Sequence, residues 1–448
     1  MKKVITYGTY DLLHFGHIRL LERAKALGDY LIVGVTADDF DKVRGKINVQ
    51  QSLLERIEAV RSTGIADEII IEEYEGQKID DIKRYDVDTF AIGSDWKGKF
   101  DYLNEYCKVV YLERTQGVSS SEIRSQKRKV RLGLVGELVV IRKFIYESKF
   151  VNGIEVVGIC TSNDKLVKDE SEFSDLLLKK YDELLNYVDA VYLFSKPSFH
   201  YEQIRTALNM GKHVLCETPV ALSCKQSEEL HSLALQKNCI LMDSIKTAYA
   251  TAYARLLLLA KSGSIGKIVS VEATATSLRD ITAIQKNQIE ETWNSICEWG
   301  PTVLLPVFQL LGTEFKQKWI ISQFANKDKL FDAFTKIDFV YDDAVASIKV
   351  GKRVKSEGEL IISGTRGYIY VPAPWWKTDY FELRYENPLD NKRYFYQLDG
   401  EGIRYEMVAF AKAIETGKGS IYIEESVSDA ICKVIEDFYQ RKDCIEIF

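Results

Sequence analysis

Apolar residues recur along this chain with two different periods, and the change of period divides it. Over the first 126 or so residues, short apolar runs alternate with amphipathic stretches. The runs 3–7, 30–35, 68–72, 88–92 and 108–112 predict strands, and the stretches 16–27 and 51–62 predict helices. Strand–helix alternation of this kind predicts a parallel, doubly wound, Rossmann-like α/β sheet.

The pattern restarts at Val130. The run Arg131-Leu132-Gly133-Leu134-Val135-Gly136 reads as a new first strand ending in a glycine turn, with a helix over about 138–149 and a strand over 155–160. Strands at 189–194, 213–215 and 239–242, with helices over 199–210 and 223–237, extend this second α/β unit; the polar segment 161–175 reads as a loop. Beyond 265 the period falls to two. Runs at 267–276, 334–351, 358–362, 367–371 and 379–384 predict an open, largely antiparallel sheet, and helical stretches over about 403–416 and 424–440 follow. The expected organisation is three domains, 1–128, 129–245 and 246–448, the last of α+β type.

Composition narrows the class. At 448 residues the chain suits more than one domain, at roughly 150 residues each. Its 46% apolar and 28% charged content is ordinary for a globular protein, and a net charge of −6 argues against a nucleic-acid partner. The basic cluster of Arg124, Lys127, Arg128, Lys129 and Arg131 reads as a solvated linker. The Met1-Lys2-Lys3 opening is too short and polar for a signal peptide. The apolar run Leu256–Ala260 is far below the ~20 residues of a membrane span, so no membrane insertion is expected. Eight scattered cysteines without CxxC spacing read as reduced thiols, which fits a cytoplasmic location.

The candidate chemistry begins where the first strand hands over to the first helix, at His14-Phe15-Gly16-His17. Backbone N–H groups at a helix start favour anions, and imidazole donors there can grip phosphate oxygens. Around this motif stand Gly8-Thr9-Tyr10-Asp11, Arg44-Gly45-Lys46, Arg56, Gly93-Ser94-Asp95-Trp96 and Arg114-Thr115-Gln116-Gly117-Val118-Ser119-Ser120-Ser121. Most fall at strand ends or helix starts, the edge where open α/β sheets collect ligands.

This set over residues 1–126 resembles the cytidylyltransferases, and most closely those acting on glycerol 3-phosphate. The resemblance implies transfer of CMP from CTP to a phosphate monoester, with release of pyrophosphate. It implies that His14 and His17 hold the triphosphate, that Lys46 and Arg114 neutralise its oxygens, and that Thr115, Ser119 and Ser120 offer hydroxyls and N–H groups. Gly8, Thr9, Tyr10, Gly16, Arg56, Asp95 and Trp96 then belong to the CTP site. Asp11 is a candidate for a Mg²⁺ contact or for orienting a basic side chain; as alternatives, Asp11 is a plain helix-entry residue, Arg56 a surface arginine and Trp96 core packing. The family's arginine in the segment before the third strand is replaced by Gly64, with Arg61 nearby. That departure leaves the acceptor open between glycerol 3-phosphate and a larger polyol phosphate.

Residues from about 130 onward resemble the Gfo/Idh/MocA oxidoreductases. The runs Arg131–Gly136, Gly211–Pro219, Ser264–Glu272 and Gly364–Val371 carry the likeness. The resemblance implies NAD(P) binding by Gly133, Gly136, Thr161, Ser162, Glu217 and Pro219. The acid that would bind ribose hydroxyls is missing from 159–163, which favours NADP over NAD, or weak or no binding. The family's catalytic lysine position is Thr218 and its histidine position is Thr302. Lys246 is the candidate to supply a proton in their place, with Tyr249 as a second; a structural or phosphate-contact role for Lys246 is the alternative. His200 and His213 read as packing residues. The loop Pro372–Lys377 either lines a substrate cleft or packs on the sheet.

Three readings follow. In one, the second part reduces a ketose or aldose phosphate and the first attaches CMP, giving a CDP-polyol for a cell-surface polymer. In another, the second part is catalytically silent and serves binding, dimerisation or regulation. In the third, the nucleotide domain is vestigial. A homodimer is expected by resemblance to both families.

Overall fold

In the computed structural model the chain divides into two compact units, Met1–Arg128 and Lys129–Phe448. The structure describes residues 1–43, 46–113, 129–136, 138–161, 174–279, 294–325 and 331–447.

The first unit holds strands β1 (Lys3–Gly8), β2 (Tyr30–Thr36), β3 (Glu68–Glu72), β4 (Thr89–Gly93) and β5 (Lys108–Leu112). Among the described residues they form one parallel sheet in the order β3-β2-β1-β4-β5. Val4, Ile5, Leu31, Ile32, Phe90 and Ala91 are fully buried, the near-continuous apolar pattern of strands covered on both faces. Helix Phe15–Lys25 starts where the His14 side chain accepts the Gly16 N–H, and helix Leu53–Ser62 starts at a Ser52–Glu55 capping box. Past the latter, Gly64 turns the chain at φ +66°, a conformation that favours glycine. The strand order reverses between β1 and β4, so a crevice opens there at the carboxyl edge.

The second unit repeats the plan with β6 (Val130–Gly136), β7 (Ile154–Cys160), β8 (Ala190–Phe194), β9 (His213–Glu217) and β10 (Leu241–Ser244), all parallel, in the order β10-β9-β8-β6-β7. A larger sheet follows, made of β11 (Ile268–Thr276), β12 (Gln317–Phe324), β13 (Asp332–Val340), β14 (Val345–Gly351), β15 (Leu360–Gly364), β16 (Gly367–Val371), β17 (Tyr380–Tyr385), β18 (Lys392–Phe395) and β19 (Cys444–Ile447). Its order is β18-β17-β16-β15-β11-β14-β13-β12-β19, antiparallel except at β11–β14 and β12–β19. The α/β class and the largely antiparallel third sheet agree with the periodicity.

Several elements depart from the sequence expectation. The run 334–351 is a hairpin, β13 and β14, rather than one strand. The segment Ser295–Leu311 is a helix that periodicity does not reveal. It carries Pro301 and Pro306 and buries residues on nearly every side, packed on β11, β13, β14 and helix Glu425–Tyr439, so no polar stripe marks it. The Asp332 carboxylate holds its first turn, accepting the Ser295 N–H at 2.8 Å. Helices Gln77–Tyr85 and Thr251–Lys261 and strands β12 and β19 are also additions. All eight cysteines are free thiols. No helix among the described residues is long and apolar enough to cross a membrane.

Candidate active sites

His14 and His17 lie one helical turn apart, so their rings share a face and stack with centroids 4.0 Å apart. His14 Nδ1 accepts the Gly16 N–H at 3.1 Å. An accepting Nδ1 puts the neutral ring's proton on Nε2, which makes the far side of that ring a donor. The loop before the motif is backbone-strained: Tyr10 and Leu12 have φ of 54° and 49°. The Tyr10 ring is buried, lies over Gly8 where a Cβ would come within 3.0 Å of it, and meets His17 edge-on at 5.5 Å. Tyr10 therefore buttresses the second histidine from within the protein.

A layer of charge supports this loop. Arg56 is fully buried, which excludes the surface reading. Its guanidinium donates to the carbonyls of Thr9 (2.6 Å), Thr36 (2.8 Å) and Gln51 (3.2 Å) and pairs with Asp38 and Asp41. Asp41 is buried and accepts the Thr9 hydroxyl at 2.8 Å. Lys46 Nζ donates to that hydroxyl at 2.7 Å and stands 3.9 Å from Asp41, with its side chain 41% exposed. Lys46 is thus a cation presented at the surface by buried neighbours, and Arg56 is a clamp rather than a nucleotide ligand. Asp11 is also buried; its Oδ1 accepts the Gln50 and Gln51 N–H groups, both at 3.0 Å. The Asp11 carboxylate fixes a loop, and no metal-holding cluster of His, Cys, Asp and Glu occurs among the described residues.

At the carboxyl edge of the sheet a small cleft is lined by Tyr7, Gly8, Lys46, Glu72, Lys78 and Trp96, among others. Trp96 is half-buried beside Phe100, with Lys99 Nζ 5.1 Å from its ring, so it is both packing and wall. Asp95 is exposed at the same edge. Lys78 is buried, pairs with Glu72 and lies 4.7 Å from the Tyr7 ring, while Glu72 also accepts the Thr36 hydroxyl at 2.8 Å. Sequence reasoning missed Asp38, Asp41, Glu72 and Lys78. The signal available was acidic residues at the ends of β2 and β3, next to basic ones. Arg61, the possible stand-in at Gly64, pairs with Glu58 on an exposed helix face. The expected contributions of Arg44, Gly45, Arg114, Thr115, Ser119 and Ser120 lie outside the described residues.

In the second unit Gly136 ends β6 at φ +142°, immediately ahead of the residues that lead into helix Leu138–Ser148. A Cβ there would come within 2.4 Å of the Phe194 ring, which ends β8, so at the matching crevice an aromatic ring lies against the glycine. Gly133 sits inside the strand, where its missing Cβ makes room for Leu184 at 2.9 Å. Thr161 is half-buried past β7, and Ser162 lies outside the described residues.

Thr218 and Pro219 are buried beyond β9 and joined by a cis peptide. Glu217 Oε1 accepts Lys246 Nζ at 2.7 Å and the Tyr192 hydroxyl at 2.5 Å. The carboxyl of Glu406, fully buried, lies within hydrogen-bond distance of Ser244 Oγ, at 2.8 Å. Burial works against the charge on Lys246, but Glu217 and Glu406 outweigh it and hold the ammonium above its usual range. Burial raises Glu406 to about 8, with Lys246 pulling the other way. Tyr249 is buried and donates to the Asp243 carbonyl at 2.5 Å, which removes it as a proton donor. Both ring nitrogens of His200 face carbonyls, of Pro219 (2.7 Å) and Ser195 (2.8 Å), and His213 Nδ1 accepts the Ile240 N–H at 2.9 Å; both are architectural. Thr302 is half-buried, one turn past Glu298, and Glu298 is engaged by Lys352 and by Arg279 at 2.6 Å. The loop Pro372–Lys377 divides its roles: Trp375 is fully buried and donates to Thr274 O at 3.0 Å, whereas Trp376 is half-buried against Trp299 at 5.0 Å.

Residues 5–126 match the cytidylyltransferase-like family. Glycerol-3-phosphate cytidylyltransferase from Bacillus spizizenii is 53% identical over 124 residues, 28% of this chain and 95% of that protein. The chain belongs to the cytidylyltransferases. Residues 131–244 of this cytidylyltransferase match the oxidoreductase family with an NAD-binding Rossmann fold. The scyllo-inositol 2-dehydrogenase (NADP(+)) IolU of Bacillus subtilis is 32% identical over 129 residues, 28% of this chain and 39% of that protein. A 3-ketoreductase of Actinomadura kijaniata, solved in complex with NADP and TDP-benzene, superposes with a TM-score of 0.62 at 19% identity. That superposition covers 71% of this cytidylyltransferase and 99% of the ketoreductase, and it establishes the fold alone. The second unit therefore carries an oxidoreductase-family match over residues 131–244 and shares its fold with the ketoreductase, on a chain whose first unit is a cytidylyltransferase.

Proposed function

We propose that the protein makes a CDP-polyol in two steps, reducing a ketose or aldose phosphate with NADPH or NADH and then attaching CMP to the resulting polyol phosphate. The observation that carries the transfer step is the stacked His14–His17 pair facing the same edge as the Lys46 ammonium. In that step an oxygen of the acceptor's phosphate attacks the α-phosphorus of CTP, the α–β phosphoanhydride bond breaks, and pyrophosphate leaves. The nucleophile is already anionic, so no general base is needed and catalysis is positioning plus charge neutralisation. His14, its Nε2 set as donor by the Gly16 N–H, and His17 hold departing phosphate oxygens. Lys46, kept in place by Thr9 and Asp41, neutralises them. Arg114, Thr115, Ser119 and Ser120 complete the CTP site. Mg²⁺, which usually keeps several waters and binds through substrate phosphates, enters with CTP. Gly64, where the family's arginine is expected, leaves the acceptor open between glycerol 3-phosphate and a larger polyol phosphate.

For the reduction, the glycine conformation at Gly136 before a helix fits a pyrophosphate, and the hydroxyl of Thr161 at an edge without an acid fits NADP better than NAD. When bound, the dinucleotide supplies hydride. Lys246 supplies the proton that Thr218 cannot. IolU, an NADP-dependent dehydrogenase of a cyclic polyol, supports the substrate class. Joining sequential steps on one chain raises the local concentration of the intermediate.

A silent second unit is favoured by one observation, the Phe194 ring over Gly136. The test is a panel of ketose, aldose and polyol phosphates with CTP, with and without NADPH, read by product mass. A CDP-polyol formed from a ketose or aldose phosphate only when NADPH is present supports both steps. CDP product from a polyol phosphate alone, with no NADPH consumed for any carbonyl compound, leaves the silent reading.

A further inference from the structure

Five side chains in the second unit form one continuous hydrogen-bonded chain that neither family motif predicts. Lys246 Nζ and the Tyr192 hydroxyl converge on Glu217 Oε1, at 2.7 and 2.5 Å. The Tyr192 hydroxyl lies 3.2 Å from Ser244 Oγ, and Ser244 Oγ lies 2.8 Å from Glu406 Oε2, so a proton on Oε2 lets Glu406 donate to Ser244 and Ser244 donate to Tyr192. One end opens outward, with the Lys246 side chain 31% exposed. The other end, Glu406, has no exposure at all. Glu406 Oε1 has no hydrogen-bond partner among the described residues. A buried ionised carboxylate with a bare oxygen is costly, whereas the acid form is far less so.

We infer that Glu406 is a proton reservoir for Lys246, delivering through Ser244, Tyr192 and Glu217, and that this relay replaces the lysine and histidine absent at Thr218 and Thr302. The inference rests on the reductase reading above. Lys246 gives a proton to the carbonyl oxygen of the substrate as hydride from the reduced dinucleotide reaches the carbonyl carbon. The carbonyl becomes an alcohol, the dinucleotide is oxidised, and Lys246 is left neutral. The Glu406 proton then passes to Ser244, the Ser244 proton to Tyr192, the Tyr192 proton to Glu217, and from Glu217 to Lys246 Nζ. Glu406 ends ionised and Lys246 charged; a proton from water returns by the same route after product leaves. Lys246 is the catalytic residue, and Tyr192 and Glu406 are positioning residues.

Geometry favours a closed relay. Gly402, at φ +91°, brings the start of helix Ile403–Thr416 against Lys246, where a Cβ would sit 3.2 Å from the lysine Cβ. Charged and titratable neighbours of Glu406 are Lys246 and Glu217, with Tyr192 and Tyr249 also facing it. Glu401 faces Lys246 and is itself neutralised by Lys143 and Lys377. Burial holds Glu406 protonated up to about pH 8, so the reservoir is full at neutral pH.

The test uses the full chain and the variants Glu406→Gln, Glu406→Asp and Tyr192→Phe. Infrared difference spectra between pH 6.5 and 9.5, without dinucleotide, read the proton directly. A carboxylic-acid carbonyl band that vanishes at high pH and is missing in Glu406→Gln is expected; no such band overturns the reservoir. With NADPH and the carbonyl panel, wild-type kcat should fall as pH rises past about 8. Glu406→Gln should lower kcat about tenfold with KM unchanged and remove that limb, and Glu406→Asp should restore part of it. NADPH consumption with an unaltered pH profile in Glu406→Gln overturns the relay alone and makes the cluster a structural ion pair. No NADPH consumption by the wild type overturns the reductase reading and the relay together.

Discussion

The two units solve the same architectural problem and differ at the same place. Each has a five-stranded parallel sheet among its described residues, with one reversal of strand order. In the first unit a small cleft at the carboxyl edge is lined by Gly8, Lys46 and Trp96, with the His14–His17 pair at the helix start that follows β1. In the second, Phe194 packs against Gly136 at the reversal, and the ionisable cluster stands at β9 and β10 instead. The first unit uses buried charge as scaffolding for exposed cations: Arg56, Asp41 and Asp11 are inside, Lys46 is outside. The second buries carboxyls whose burial pushes them up, Glu406 furthest. A fold therefore fixes where a crevice opens, and the side chains at its rim decide whether it stays open and which charge it carries.

The largest effect that would break this contrast is at the histidines. His17→Ala should lower CMP transfer about 10²–10³-fold, as for loss of one preorganised donor, while leaving NADPH consumption intact. Parallel assays on one preparation check it, and loss of both activities would contradict independent sites. Next, Arg56→Ala removes one partner of a buried charge network. It should destabilise the first unit by about 3–5 kcal/mol and leave the second unit's calorimetric transition in place.

A smaller effect separates the units by pH. Burial raises Asp243 and Asp332 to about 6 and Glu406 to about 8, all in the second unit. A carboxyl with a raised folded pKa binds its proton more tightly in the folded state. Its contribution to stability is full below the unfolded value and is lost as pH rises through the folded one. From pH 4 to 8.5 the second unit's transition should therefore drop in temperature more than the first unit's, the share of Asp243 and Asp332 being lost by about pH 6 and that of Glu406 by about pH 8. An equal drop would remove the contrast in buried carboxyls. Gly136→Ala should weaken NADPH binding about tenfold, through its left-handed conformation and the Phe194 contact, with CMP transfer unchanged. Smallest of all, Arg61→Ala should shift stability by no more than about 0.5 kcal/mol and leave the acceptor KM alone, because Arg61 is engaged only on an exposed helix face.

Much of this was legible in the residues themselves. Strands β1 to β5 were predicted nearly to their ends because strands covered on both faces are runs of Val, Ile and Leu. The helix Ser295–Leu311 was not, because a helix buried all round has no polar stripe and its two prolines argue against it. Arg56 was read as either a ligand or a surface residue and is neither: which face of helix Leu53–Ser62 turns inward depends on Thr9, Thr36 and Asp41, far away in sequence.

The order of residues by itself determined the two α/β units and the placement of His14 and His17 where the first strand hands over to the first helix, since these depend only on short-range spacing and identity. Only the tertiary structure decided that Tyr10, Asp11 and Arg56 support the first site from within, and that Lys246 is joined through Glu217, Tyr192 and Ser244 to Glu406. Those five residues come from separate elements, β8, the ends of β9 and β10, and helix Ile403–Thr416, and only the folded chain brings them within hydrogen-bond reach of one another.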